Sequence, residues 1–172
     1  MRAAVCRAYG PPEVVEVVDL PTPEIGEGQV RVDAAAVNFP DVLLVADRYQ
    51  MTVPAPFVPG SEFAGTVTEV ADGVVDVAVG DRVAGTSLVG AFAEEVVAVA
   101  GAIRRIPDGV DLRHAAAFGV AHRTAHHVLR SVAGLRPGDE LVVLGAGGGV
   151  GLDVVIVPKP ARRGTSGGST SC

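Results

Sequence analysis

The chain has 172 residues, 48% hydrophobic and 20% charged, with a formal net charge of -6. That balance suits one full folded domain and part of another, at roughly 100 to 150 residues per domain, and excludes a disordered chain. With no basic run before its tail the chain lacks the clustered Lys and Arg that phosphate neutralisation needs, so nucleic acid is not expected as a partner.

Cys6 and Cys172 stand at opposite ends, without metal-ligand spacing or a disulfide framework, which points to a reducing cytoplasm. The N-terminus has no apolar core of signal-peptide length, and Asp72, Asp76 and Asp81 cut the valine-rich middle into pieces too short to span a bilayer. No membrane partner is expected.

In chain order, residues 2–8 and 13–20 predict two strands separated by Gly10-Pro11-Pro12, and Pro21-Thr22-Pro23 then breaks the chain. Gly26-Glu27-Gly28 turns it into a strand over residues 29–34, with Val30 and Val32 on one face. From Asn38 the period lengthens: Phe39, Val42, Leu43, Ala46 and Tyr49 predict a short helix entered through Pro40 and capped by Asn38. A Pro-rich loop, Gly60-Ser61-Glu62-Phe63-Ala64-Gly65, a strand from Thr66 to Val70 and a turn at Gly80-Asp81 follow. Repeated short strands over residues 1–107 predict a compact, partly closed β domain.

Beyond Pro107 one helix is predicted from Asp111, and a second over about Val120 to Ala133 with an apolar stripe of Ala121, Ala125, Val128, Leu129 and Val132. There is no internal repeat, and the domain boundary falls near residues 120–138. Leu141 to Leu144 is an apolar run of strand length that feeds into five glycines within seven residues. Gly148 and Gly149 would let the backbone turn and approach a pyrophosphate, and Gly151 would let a following helix pack closely, with Ala146 at the first glycine position of the fingerprint.

Five ordered blocks now stand together: Asn38-Phe39-Pro40-Asp41-Val42-Leu43-Leu44, Gly60 to Gly65, Val79-Gly80-Asp81-Arg82-Val83, Gly90-Ala91-Phe92-Ala93-Glu94-Glu95, and Leu135-Arg136-Pro137-Gly138-Asp139 before the glycine loop. Over residues 1–152 they resemble the medium-chain dehydrogenase/reductase superfamily, in its zinc-independent, quinone oxidoreductase-like branch. The resemblance implies an α+β, mostly β chain: a GroES-like catalytic β-barrel domain at 1–120, then a linking helix and the first strand and glycine loop of a Rossmann NADPH-binding domain at 121–152. It implies hydride transfer from NADPH to a small-molecule quinone or α,β-unsaturated carbonyl, with a homodimer as the assembly it allows. On it, Asn38 falls on an active-site asparagine and Tyr49 on an aromatic lining the pocket. Thr124 falls on a threonine facing the nicotinamide, and Ala146, Gly148, Gly149, Val150 and Gly151 form the cofactor loop. The bland alternatives are a helix cap for Asn38, a core aromatic for Tyr49 and a helix-facing hydroxyl for Thr124.

Zinc is not expected, because the ligands of the zinc-dependent relatives are missing: no thiol lies near Asn38, Ser61 replaces the histidine, and Glu62 is left without partners. His122 and His126 are four apart on one helix, but with no acidic partner nearby in sequence they read as helix-flank histidines. After Leu152 the expectation breaks down. Val154 to Val157 is β-branched and followed by Pro158, a poor start for the required helix, and residues 153–172 read as a disordered or aberrant tail that truncates the cofactor domain. The alternative to a reductase is therefore a non-catalytic remnant that keeps the GroES-like domain alone.

Overall fold

The computed structural model describes residues 1–25, 29–32 and 35–156. The chain divides into two compact units, Met1–Val120 and Ala121–Cys172. The first is built on antiparallel strands. β1 (Arg2–Cys6) pairs with β2 (Val15–Asp19), from Arg2 opposite Asp19 to Cys6 opposite Val15. The prolines between them start a 3-10 turn at Pro12–Val14, where a fixed φ and a missing N–H cost nothing.

The second sheet contains β3 (Gln29–Val32), β4 (Ala35–Ala36), β5 (Glu62–Val70), β6 (Arg82–Thr86), β7 (Val96–Val99) and β8 (Ile103–Arg105), in the order β7-β3-β5-β6-β8, with β4 also on β5. The turn at residues 26–28, residues 33–34 and the facing of Val30 and Val32 lie outside the described residues. β5 is longer than the predicted strand because the Glu62-to-Gly65 block is its first half, Glu62 lying between Ala36 of β4 and Thr86 of β6. Phe63, Val67, Val83, Val96 and Ile103 form the main core. Gly85 is opposite Phe63 because a Cβ there would lie 2.7 Å from the Phe63 ring and 2.8 Å from Ile103.

α1 (Phe39–Val45) forms where predicted, but its buried face is different. Phe39 is 73% exposed, and Leu44 and Val45 pack instead with Cys6 and Phe57. A helix of seven residues makes two turns, so its face is set by the neighbours at its C-terminal end and not by a repeating stripe. α2 (Leu112–Ala116) packs Ala115 and Ala116 on Ala64, and its cap Asp111 accepts the Arg113 N–H at 2.8 Å.

α3 (Gly119–His127) runs on into one wide turn at Val128–Val132, where the Ala133 N–H reaches the Val128 carbonyl. That i+5 bond alters the phase, so the predicted stripe is broken: Ala125 and Leu129 are buried, whereas Val128 and Val132 are exposed.

Two expectations for the second unit are corrected. Leu141 to Leu144 forms no strand: Val142 is 84% and Leu144 91% exposed, and among the described residues nothing pairs with this run. An apolar sequence alone does not make a strand, since the ladder bonds must come from a neighbour. Conversely, residues 153–156, read as the start of an aberrant tail, are helical, in α4 (Gly149–Ile156). β-branched residues cost only a few tenths of a kcal/mol each in a helix, and the bond between Asp153 and His122 offsets that. Gly151 permits the helix to start close against the main chain of Gly145 and Ala146, where any Cβ would collide.

Candidate active site

The first unit gathers polar groups where β4, β5 and β6 meet α1. Two residues beyond β4, Asn38 takes an extended conformation (φ -126°, ψ 158°) and starts α1. Its main-chain N–H donates to Asp41 Oδ2 at 2.7 Å, while the Asp41 N–H donates back to the Asn38 carbonyl at 3.1 Å. Asn38 thus stands at the cap position predicted from sequence, but the side chain that makes the capping bond is that of Asp41. The Asn38 side chain does something else: its amide nitrogen donates to Glu62 Oε1 at 3.1 Å.

Glu62 is 1% exposed, and its other oxygen, Oε2, accepts the main-chain N–H of Val120. Gly119 makes this approach feasible, since a Cβ there would lie 2.8 Å from Oε2. Glu62, which the sequence leaves without zinc co-ligands, is held instead by hydrogen bonds from Asn38 and the Val120 main chain. A carboxylate at the head of an apolar strand was visible in the sequence; the partners it meets were not.

Asp41 is 2% exposed, and burial pushes its carboxyl above the usual aspartate range, opposed by the Asn38 N–H and, less, by the hydroxyl and N–H of neighbouring Ser61. Asp41 Oδ1, Ser61 Oγ and Ser87 Oγ are buried and none makes a hydrogen bond of good geometry among the described residues, although Ser61 lies near enough to Asp41 to ease its ionisation; the Ser87 N–H donates to the Ser61 carbonyl at 2.9 Å. Unmet polar atoms of this kind mark a place where a polar ligand or a water finds partners. Tyr49 is half-buried against the cluster of Cys6, Leu44, Val45 and Phe57, as a core aromatic would be.

The second unit carries the glycine loop. The left-handed residue is Gly145 (φ 73°), not Gly148 or Gly149, and the Gly148 N–H closes the turn on the Gly145 carbonyl at 3.0 Å. Ala146, Gly148, Gly149 and Val150 are exposed, and a Cβ on Gly147 or Gly149 would meet nothing within 4 Å. Backbone amides opening a helix behind a bare glycine surface fit the pyrophosphate of a dinucleotide. Thr124 is exposed on α3. His122 Nδ1 lies 2.8 Å from Asp153 Oδ1, an acidic partner from α4 that sequence proximity did not reveal. No group of three or more His, Cys, Asp or Glu among the described residues could hold a metal ion.

Residues 24–108 match the alcohol dehydrogenase GroES-like domain. The chain is 39% identical over 164 residues to mouse quinone oxidoreductase-like protein 2, covering 94% of this chain and 46% of that one. Its fold superposes on quinone oxidoreductase from Thermus thermophilus, solved alone and with NADPH, at TM-score 0.78 and 36% identity, over 90% of this chain and 48% of that one. It also superposes on Escherichia coli quinone oxidoreductase in complex with NADPH, at TM-score 0.83 and 28% identity, over 88% and 47%. The chain belongs to the medium-chain dehydrogenase/reductase superfamily. It spans about half the length of the curated relatives it matches. In medium-chain terms, the Met1–Val120 unit holds the GroES-like domain with the Asn38–Glu62 pair, and the second unit holds the glycine loop.

Proposed function

We propose that this chain carries residues of an NADPH-dependent reductase of quinones or α,β-unsaturated carbonyls, with Asn38 binding the acceptor's oxygen. The observation that carries the reading is the Asn38 amide, held by a buried carboxylate beside unmet polar atoms. When bound, NADPH supplies a hydride, so that with one proton from solvent a quinone becomes a hydroquinone and NADPH becomes NADP+. The chain's own residues bind and orient. The second N–H of the Asn38 amide donates to the acceptor oxygen, where negative charge grows as the hydride arrives. The Tyr49 ring supplies an apolar wall. Ala146, Gly148, Gly149, Val150 and Gly151 hold the pyrophosphate, and the Thr124 hydroxyl serves the nicotinamide end. The reading assigns no zinc, a cytoplasmic location in keeping with the free Cys6, and a homodimer.

The test follows NADPH oxidation by the purified chain with 1,4-naphthoquinone as acceptor and NADPH in large excess. Turnover that falls at least tenfold in N38A supports the reading, and turnover indifferent to Asn38 overturns it. A second reading, a non-catalytic GroES-like domain, is favoured by the run Leu141 to Leu144 beside the cofactor loop, exposed and unpaired among the described residues. No NADPH-dependent quinone reduction at any concentration decides for it.

A further inference from the structure

We infer that Glu62 is a positioning residue that fixes which way round the Asn38 amide stands. The inference rests on the reading of Asn38 as the group that meets the acceptor, and it explains how one rotatable amide is given a single orientation. An asparagine amide is nearly symmetric in shape, with an oxygen on one branch and NH2 on the other, and only its neighbours determine which branch goes where. Here the neighbour is Glu62, whose Oε1 takes the Asn38 nitrogen and whose Oε2 takes the Val120 N–H. Both oxygens of this carboxylate accept. The Asn38 NH2 is therefore drawn to Glu62, and its second N–H is aimed in a fixed direction.

The anchor at the far end cannot turn over, because the Val120 N–H is main chain and always a donor. Gly119 gives Glu62 room to sit against that amide, and the cross-strand positions of Ala36 and Thr86 fix its place in the sheet. Orientation thus passes from a rigid peptide, through a buried carboxylate, to the side chain that meets the ligand. Pre-orientation of this kind matters because a donor must point where charge develops, and a misplacement of about 1 Å can cost roughly a hundredfold in rate.

E62Q separates this from a purely structural role. A glutamine at this place has one oxygen and one NH2. The oxygen must meet the Val120 N–H, so the NH2 faces Asn38, which turns its own oxygen inward and swings its NH2 away from the acceptor. In the full chain, nitrogen-15 NMR should show one Asn38 side-chain proton shifted downfield and protected from exchange, and that signature should disappear in folded E62Q. NADPH oxidation with 1,4-naphthoquinone should lose roughly tenfold to a hundredfold in kcat, with KM for the quinone within about twofold, since the lost donor serves the transition state. An Asn38 amide in the wild-type chain that exchanges as fast as an exposed asparagine overturns the inference, and this result needs no variant to fold. So does a folded E62Q with the Asn38 signals or kcat unchanged. If N38A itself turns over like wild type, the proposed site falls together with the inference; if N38A is impaired and E62Q is not, the inference alone falls.

Discussion

Replacing Gly119 by alanine tests the Glu62 arrangement through stability. Gly119 is not among the residues of positive φ, so alanine can adopt its backbone without strain, and the whole effect comes from what the new methyl meets. It would lie 2.8 Å from Glu62 Oε2 and 3.1 Å from Thr86 Cγ2. Glu62 is 1% exposed and cannot swing into water, so it must retreat and give up the Val120 N–H. A hydrogen bond to a charged acceptor contributes about 1.5–3 kcal/mol. Alanine recovers at most about 1 kcal/mol of helix propensity, and less at the first position of α3. The net loss is about 1–2 kcal/mol, which lowers the melting temperature of a unit of this size by about 4–8 °C. Thermal unfolding followed by circular dichroism measures it, with G101A as the control, because a Cβ on Gly101 meets nothing within 4 Å. A G119A chain that melts at or above wild type refutes the reasoning.

Three further outcomes are expected. Asp111 is held at about 2 by the Arg113 side chain and N–H, below its ordinary value of about 3.9, so its stabilisation is complete above the unfolded value and lost as pH falls towards about 2; D111A should flatten that acid limb in urea titrations. D153A removes the partner of His122 and should speed hydrogen exchange of the α4 amides by about fivefold, the effect of about 1 kcal/mol. Elemental analysis of the purified chain should find no stoichiometric zinc, and one zinc per chain, removable with loss of structure, would contradict the ligand argument.

What the sequence made legible was local. Asn38 stands at the start of α1, as its residue type and its place before Pro40 predict. The helix start at Asp111 was readable in the same way, whereas the glycine that turns the cofactor loop is Gly145 and not the predicted Gly148 or Gly149. Asn38 and Glu62 are 24 residues apart, and they meet only because β4 pairs with β5 in one particular register. No period or motif encodes that. The errors came from the same source. Leu141 to Leu144 has strand composition but no strand beside it among the described residues, and residues 154–156 have strand composition yet join a helix that Gly151 makes room for and Asp153 ties to His122. Local preference of a few tenths of a kcal/mol gives way to a single good contact or to the lack of one.

The bare run before the glycine loop has a practical consequence for anyone handling this protein. Among the described residues, Val142 and Leu144 present branched apolar surface beside main chain that joins no ladder, the combination from which intermolecular sheets grow. Concentration, more than temperature, then limits the useful life of a sample, and losses should scale steeply with the amount of protein in the tube. V142K places a repelling charge on this run, away from Asn38 and Glu62 in sequence, and offers a route to samples concentrated enough for the spectroscopy of that pair.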